Sequence, residues 1–268
     1  MLKLLETTVS LGLAKPLTVC QITDLHLIYA DERDSTYQRD HAESRKQYFA
    51  NAHNIAEEIR VYLLENKPDL LIMTGDILDF PTESNLDALR TFLSTLPCPY
   101  LYIPGNHDWT FPQDYQSDAQ YKNNLSRFGE WTGGTTDFQM LEMGGIAFIG
   151  VDDSRFDRVT EKQTEKLEAA LTSCRMRGIP AVVCVHVPIC SKALAPRATS
   201  VWKAPVMLGQ ANTDSATKRF CELTAAFASA VIAGHVHFTN DGPLDNSECM
   251  QYVTGLSASG TLRIFRFI

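Results

Sequence analysis

Five short stretches of this chain each end an apolar run on side chains that coordinate, accept or ionise. LTVCQITDLH delivers Asp24 and His26, DLLIMTGD delivers Asp76, and YLYIPGNHD delivers Asn106, His107 and Asp108. AVVCVHVP delivers His186, and SAVIAGHVH delivers His235 and His237. Five of the seven histidines in the chain fall in these places. Each stretch alone has an ordinary reading, since Pro, Gly, Asn and Asp are what turns are made of. The alternating histidines of GHVH would project to one side of an extended segment. Together, imidazole nitrogen with carboxylate and amide oxygen, and no thiolate, form the donor set of Zn, Mn, Fe or Co. One four-coordinate ion would leave donors unused. Two ions roughly 3.5–4 Å apart, sharing one carboxylate, would use them all.

Such a site needs several strands that stop side by side, because ligands in open α/β sheets gather at the carboxyl ends of strands. The chain has that rhythm, short apolar runs alternating with longer helical patterns. Strands are expected at 17–22, 69–73, 100–103, 146–151, 181–185 and 229–233, with two more near 250–254 and 261–267. Helices are expected over 43–65, 83–96, 115–128, 160–177 and 214–228. In the first helix Ile55, Ile59, Tyr62 and Leu63 recur at helical spacing, with Glu57, Glu58 and Arg60 on the other side. PTES before 83 and TEKQTEKL from 160 carry capping and acidic first-turn signals. Two stretches lack periodicity: the charge-dense 29–46, read as a solvated loop running into a helix, and 188–214, read as a long irregular segment with three prolines.

At 268 residues and 29.9 kDa, with 44% hydrophobic and 21% charged residues, the chain suits one large α/β domain over 1–268. A net charge of −8 and a pI near 5.4 argue against stable nucleic-acid binding, which needs a basic face. The seven cysteines are odd in number and form no CxxC pair, a pattern of free thiols in a reducing compartment. Glu6 and several polar residues interrupt the N-terminal stretch before a signal-like core develops, and no run approaches the ~20 apolar residues of a membrane span. The expected location is cytoplasmic.

Asp24-x-His26, Gly75-Asp76, Gly105-Asn106-His107-Asp108, His186 and Gly234-His235-Val236-His237 together resemble the five signature blocks of the calcineurin-like metallophosphoesterases. The resemblance runs from about residue 18 to 255 and implies a four-layer α-β-β-α sandwich, two mixed β-sheets flanked by helices. It assigns one metal to Asp24, His26 and His237 and a second to Asn106, His186 and His235, with Asp76 bridging. His107 is implied as a non-ligand residue facing the scissile phosphate, and Asp108 as the group that hydrogen-bonds and orients it. The cofactors implied are two divalent or trivalent ions, Mn, Fe or Zn. The reaction implied is hydrolysis of a small phosphodiester or phosphomonoester by a metal-bridging hydroxide, with His107 assisting the leaving group. The compact length is most similar to the bacterial cyclic-nucleotide phosphodiesterase branch.

Several residues bear on substrate choice. Between His186 and Asp214 the charged side chains are Lys192, Arg197 and Lys203, which either overhang the site and attract phosphate or belong to a solvated loop. Trp202 is read as an anchor by burial, with stacking on a base as the alternative. Trp109, Phe111, Tyr115, Tyr121, Phe128 and Trp131 are read chiefly as core and helix-packing residues, His41 and His53 as surface or helix residues, and Asp152 and Asp153 as turn residues. Two other functions share these motifs. A repair-type nuclease would also carry the Asp76 to Asp79 pattern, but only about thirty residues follow His237 and the charge is negative. A non-catalytic scaffold on the same fold tolerates lost ligands, and here every block is intact. If the roles are as implied, His107→Ala keeps its metals and loses most turnover, whereas Asp76→Ala loses metal as well; metal analysis beside a kinetic assay separates the two.

Overall fold

The computed structural model describes residues 1–111, 117–132, 134–211 and 214–268, and eight of its strands are the apolar runs. They are β1 (Lys3–Val9), β2 (Leu17–Ile22), β3 (Leu70–Thr74), β4 (Tyr100–Ile103), β5 (Phe138–Met143) and β6 (Ile146–Val151). Then follow β7 (Ala181–Cys184), β8 (Ala230–Ala233), β9 (Asn240–Pro243), β10 (Met250–Val253) and β11 (Thr261–Phe267). The helices are α1 (Thr36–Phe49), α2 (Ala52–Asn66), α3 (Glu83–Ser94), α4 (Asn106–Trp109), α5 (Asp118–Gln120), α6 (Glu161–Arg177), α7 (Ala195–Trp202) and α8 (Ser215–Phe227).

Two mixed sheets result, in the orders β1-β11-β2-β3-β4 and β5-β6-β7-β8-β10-β9. Side chains alternate across a strand, so each buried strand supplies two layers. Leu70 and Ile72 of β3 join Val182, Cys184 and Ile232 in the core between the sheets. Leu71 and Met73 pack outward with Ile59 and Leu63 of α2 and Leu86 and Leu89 of α3. On the second sheet Val183 and Val231 pack with Leu167 and Leu171 of α6 and Phe220 of α8. The outcome is the expected α-β-β-α sandwich.

Register brings the strand ends together. In the parallel ladder β2-β3-β4, Ile22 pairs with Met73 and Thr74 with Ile103, so the residues that follow emerge side by side. In β7-β8-β10, Cys184 pairs with Ile232 and Ala233 with Val253. Gln21 fastens one sheet to the other beneath these ends: its fully buried amide nitrogen donates to Thr74 Oγ1 at 2.8 Å and to Ala233 O at 3.0 Å. Thr254 Oγ1 donates to its oxygen.

The differences from the sequence reading have physical causes. The helix expected over 43–65 is two, broken at Ala50 and Asn51, and α1 begins earlier because Ser35 and Gln38 form a capping box. The charge-dense 29–46 stretch is therefore mostly helix. The helix expected over 115–128 is α5, one π turn (Tyr121–Leu125) and a 3-10 stretch (Ser126–Trp131), while 112–116 lies outside the described residues. The irregular 188–214 contains α7, with Pro196 in its first turn where a missing N–H costs nothing. Among the strands, β1, β5 and β9 were not expected; they are edge strands with exposed faces, and β9, Asn-Asp-Gly-Pro, is a strand only because β10 offers it a partner. All seven cysteines are free thiols. No described helix is long and apolar enough to cross a membrane.

Replacing Gln21 by Met fills its volume but leaves the Ala233 carbonyl and the Thr74 and Thr254 hydroxyls short of a partner. The variant is expected to lose about 1–3 kcal/mol of stability, read as a lower urea midpoint at unchanged slope.

Candidate metal centre

The site is assembled from loops that follow β2, β3, β4, β7 and β8, and its backbone is unusual. Asp24, His26, Asp76, His235 and His237 all have positive φ, between 48° and 69°. Such left-handed residues are uncommon outside glycine, and a non-glycine residue held there costs on the order of 1–3 kcal/mol. The strain is held by bonds across the strand ends, Asp24 N–H to Gly75 O and His26 N–H to Asp76 O, both 2.9 Å. Gly75, φ +86°, cannot be replaced easily: a Cβ there would sit 2.5 Å from both Gly105 N and His186 Nδ1. Because His235 and His237 are left-handed, GHVH is not extended as expected, and its two rings part company.

Those rings complete two clusters. Asp24, His26, Asp76 and His237 offer donor atoms within 4.8 Å of one another, as do Asp76, His186 and His235. Asp76 belongs to both. His26 Nε2 lies 3.2 Å from His237 Nε2, and His186 Nε2 lies 3.1 Å from His235 Nδ1. Asp76 Oδ2 is 3.3 Å from His186 Nε2 and 3.9 Å from His26 Nε2. Asn106 opens the single turn α4 beside them, and the next backbone N–H, of His107, donates to Asp76 Oδ1 at 2.9 Å.

Tautomers follow from the outer partners. His186 Nδ1 donates to Thr74 O at 2.7 Å, and His26 Nδ1 to Asp79 Oδ1 at 3.0 Å, so the Nε2 lone pair of each ring faces the cluster. Asp24 Oδ2 accepts from Thr23 Oγ1 and His235 N, leaving Oδ1 with no hydrogen bond and with His237 Nε2 beside it, at 3.3 Å. The buried Asn106 Oδ1 is equally unpartnered. An orphaned buried oxygen costs about 1–3 kcal/mol, which a cation held there would offset. The donor set and these two oxygens fit a pair of metal ions.

Electrostatics point the same way. Burial by itself would raise the Asp76 carboxyl, but His186, His107 and His26 hold it well below the usual range. His186 is correspondingly lifted by Asp76 against the pull of burial. Burial, aided by His186, takes His235 down to about 3. Burial would also lower His107, yet Asp76 and then Asp79 outweigh it and raise its ring to about 9.

One expected role is corrected. Asp108 does not hold His107: its Oδ2 accepts from Asp76 N at 2.9 Å and Gly105 N at 2.7 Å, and its Oδ1 from Leu78 N at 2.8 Å. It fastens the turn after β4 to the turn after β3, since a carboxylate in that seam meets backbone N–H groups first. His107 is held instead by Asp79, whose carbonyl is 3.0 Å and carboxylate 3.3 Å from Nδ1. Asp79 also accepts both bonds of Arg45, at 2.7 and 2.9 Å. The signal for Asp79 was its place three residues beyond Asp76; Arg45, inside the charge-dense stretch, had none.

The remaining residues sort plainly. Asp153 is no mere turn residue, for it accepts from His186 N and Val187 N, while Asp152 closes its own turn onto Ser154 and meets Tyr121 Oη. Trp109 is fully buried with its indole donating to Ser154 Oγ; Phe111, Phe128 and Trp131 are buried as read, and Tyr115 lies outside the described residues. His53 on α2 bonds Ile28 O, and His41 lies on α1 beside Phe80. Arg197 reaches Thr239 O, and Trp202 stands beside His237.

Comparison with known proteins gives likenesses of three kinds: to a family, to curated sequences and to solved structures. A family model for the calcineurin-like phosphoesterases matches residues 17–238. A 3',5'-cyclic-nucleotide phosphodiesterase of Nostoc sp. is 33% identical over 99 residues, 37% of this chain and 34% of that protein. The chain aligns with about a third of the length of the curated phosphodiesterases it matches. In three dimensions a dimetal phosphatase from Danio rerio superposes with a TM-score of 0.59 at 13% identity, covering 90% of this chain and 88% of the other. A purple acid phosphatase from yellow lupin (Lupinus luteus) seeds gives 0.59 at 15% identity, covering 95% of this chain and 44% of the other. At these identities the structural likeness is one of fold.

Asp79→Asn keeps the shape but removes the charge shared by His26, His107 and Arg45. It is expected to lower turnover or metal affinity roughly 10–100-fold, measured by steady-state kinetics against metal concentration, whereas Asp108→Asn shifts the denaturation midpoint first.

Proposed function

The chain belongs to the calcineurin-like phosphoesterase family, and from that premise we propose that residues 1–268 act as one domain hydrolysing a small phosphodiester or phosphomonoester with two metal ions. The observation that carries this reading is Asp76, one carboxylate common to two histidine clusters. Asp24, His26 and His237 would hold one ion, Asn106, His186 and His235 the other, and Asp76 both. When bound, the pair would polarise phosphoryl oxygens and lower the pKa of a coordinated water. A 3',5'-cyclic nucleotide is the proposed substrate, by likeness to the Nostoc phosphodiesterase.

The chain's own residues supply the rest. His107 Nδ1 is committed to Asp79, so Nε2 is the nitrogen that faces the leaving oxygen. Held at Nδ1 by the Asp79 carbonyl and carboxylate, which favour its protonated form, His107 is placed to give a leaving alkoxide its proton. Its side chain is 34% exposed, which lets an ester reach it from solvent. Asp79 keeps the ring from turning, Arg45 pairs with the Asp79 carboxylate at 2.7 Å, and Asp153 fixes the backbone from which His186 projects. No side chain is required as a nucleophile.

The direct test is hydrolysis of a chromogenic bis-phenyl phosphodiester and its monoester with added Mn, beside metal counting on the loaded protein. Two metals per chain and turnover abolished by chelation are expected. A loaded protein that hydrolyses neither ester would overturn the enzymatic reading in favour of a scaffold.

A further inference from the structure

Trp202 is both pinned and open. It ends α7, and its ring centroid lies 5.3 Å from that of His237 at 74°. Its Nε1 donates to Val236 O at 3.0 Å, the carbonyl between the two histidines of GHVH. An indole that served only as an anchor would be covered, as Trp109 is at 0% exposure and Trp131 at 8%; Trp202 is 39% exposed.

The helix that carries it is clamped to the same loop. Leu194 and Ala198 are fully buried beneath it, Arg197 donates to Thr239 O at 2.9 Å, and the Arg197 guanidinium lies 4.3 Å over the Phe238 ring. The helix thus spends its cation on its own attachment and presents an aromatic face at the rim. Lys203, in a left-handed conformation, turns the chain away at once. Across His237 stands a second aromatic flank from α1. Phe49 stacks on His26 at 4.3 Å and meets His237 edge-on at 6.5 Å, and beside it Tyr48 is 66% exposed under the Arg45 guanidinium.

We propose that Trp202 is the stacking platform that selects, at this site, phosphate esters bearing a planar heteroaromatic group such as a nucleobase. The inference rests on the phosphoesterase reading above and adds to it the residue that chooses the organic part of the ester. Because the indole is fixed by Val236 before substrate arrives, little side-chain freedom is lost on stacking. Base stacking on an aromatic side chain is sequence-tolerant, so the platform prefers nucleotides as a class rather than one base.

The test compares wild type, Trp202→Ala and Trp202→Phe, metal-loaded, on a 3',5'-cyclic nucleotide and on glycerophosphoethanolamine, a diester without a ring. Trp202→Ala is expected to raise KM for the nucleotide roughly tenfold more than it raises KM for the ringless diester, and this difference is expected to be largely restored in Trp202→Phe. Equal losses on both esters, or no change on either, would overturn the platform and leave Trp202 as a prop for His237. Fluorescence gives a readout that needs no turnover and no variant. The other two tryptophans are buried, so a nucleoside monophosphate that stacks on Trp202 should quench the exposed indole of the wild-type protein saturably, and ribose 5-phosphate should not. Equal or absent quenching overturns the proposal; quenching by a protein that hydrolyses no ester would sink the enzymatic reading and leave the platform standing.

Discussion

Everything in this site depends on one buried carboxylate at the seam between two sheets. Asp76 follows β3 in the first sheet, yet its nearest imidazole, His186, follows β7 in the second. The first sheet supplies Asp24, His26, Asp76 and Asn106; the second supplies His186, His235 and His237. Neither set is a binding site alone. The apolar layer between the sheets and the Gln21 amide that spans them therefore set the distance between the clusters.

Holding so much polarity at the end of a core has a structural cost, met locally. Five left-handed ligand candidates carry backbone strain, and buried carboxylates stand close together. Each carboxylate is nevertheless given donors that fix its direction. Asp108 gathers three backbone N–H groups, Asp153 gathers those of His186 and Val187, and Asp79 gathers two imidazoles and a guanidinium. These three aspartates form a hydrogen-bonded frame behind the donors, and they orient what the strands merely bring near.

The two stretches with least periodicity in the sequence form the walls. The charge-dense one becomes α1, whose Arg45 and Phe49 reach Asp79 and His26; the proline-rich one becomes α7, whose Trp202 reaches His237. Neither carries a donor of the paired clusters. Their loose patterning is what a wall allows, because only one or two side chains of each helix are answerable to the site while the rest pack beneath the helix or meet solvent.

The sequence by itself determined the eight core strands and the α/β class, and it singled out Asp24, His26, Asp76, Asn106, His186, His235 and His237, since apolar runs ending in ligand-type residues are a local pattern. It also determined that His107 stands among them. It could not determine which carboxylate holds His107: Asp108 is adjacent in the chain, but a side chain one residue away on a single helical turn points elsewhere, and Asp79 is brought in across β3 and β4. Nor could it show β9, α7 or the separation of the GHVH rings. Those were decided by tertiary structure, because a short segment with no strong preference of its own takes the conformation its packing partner offers.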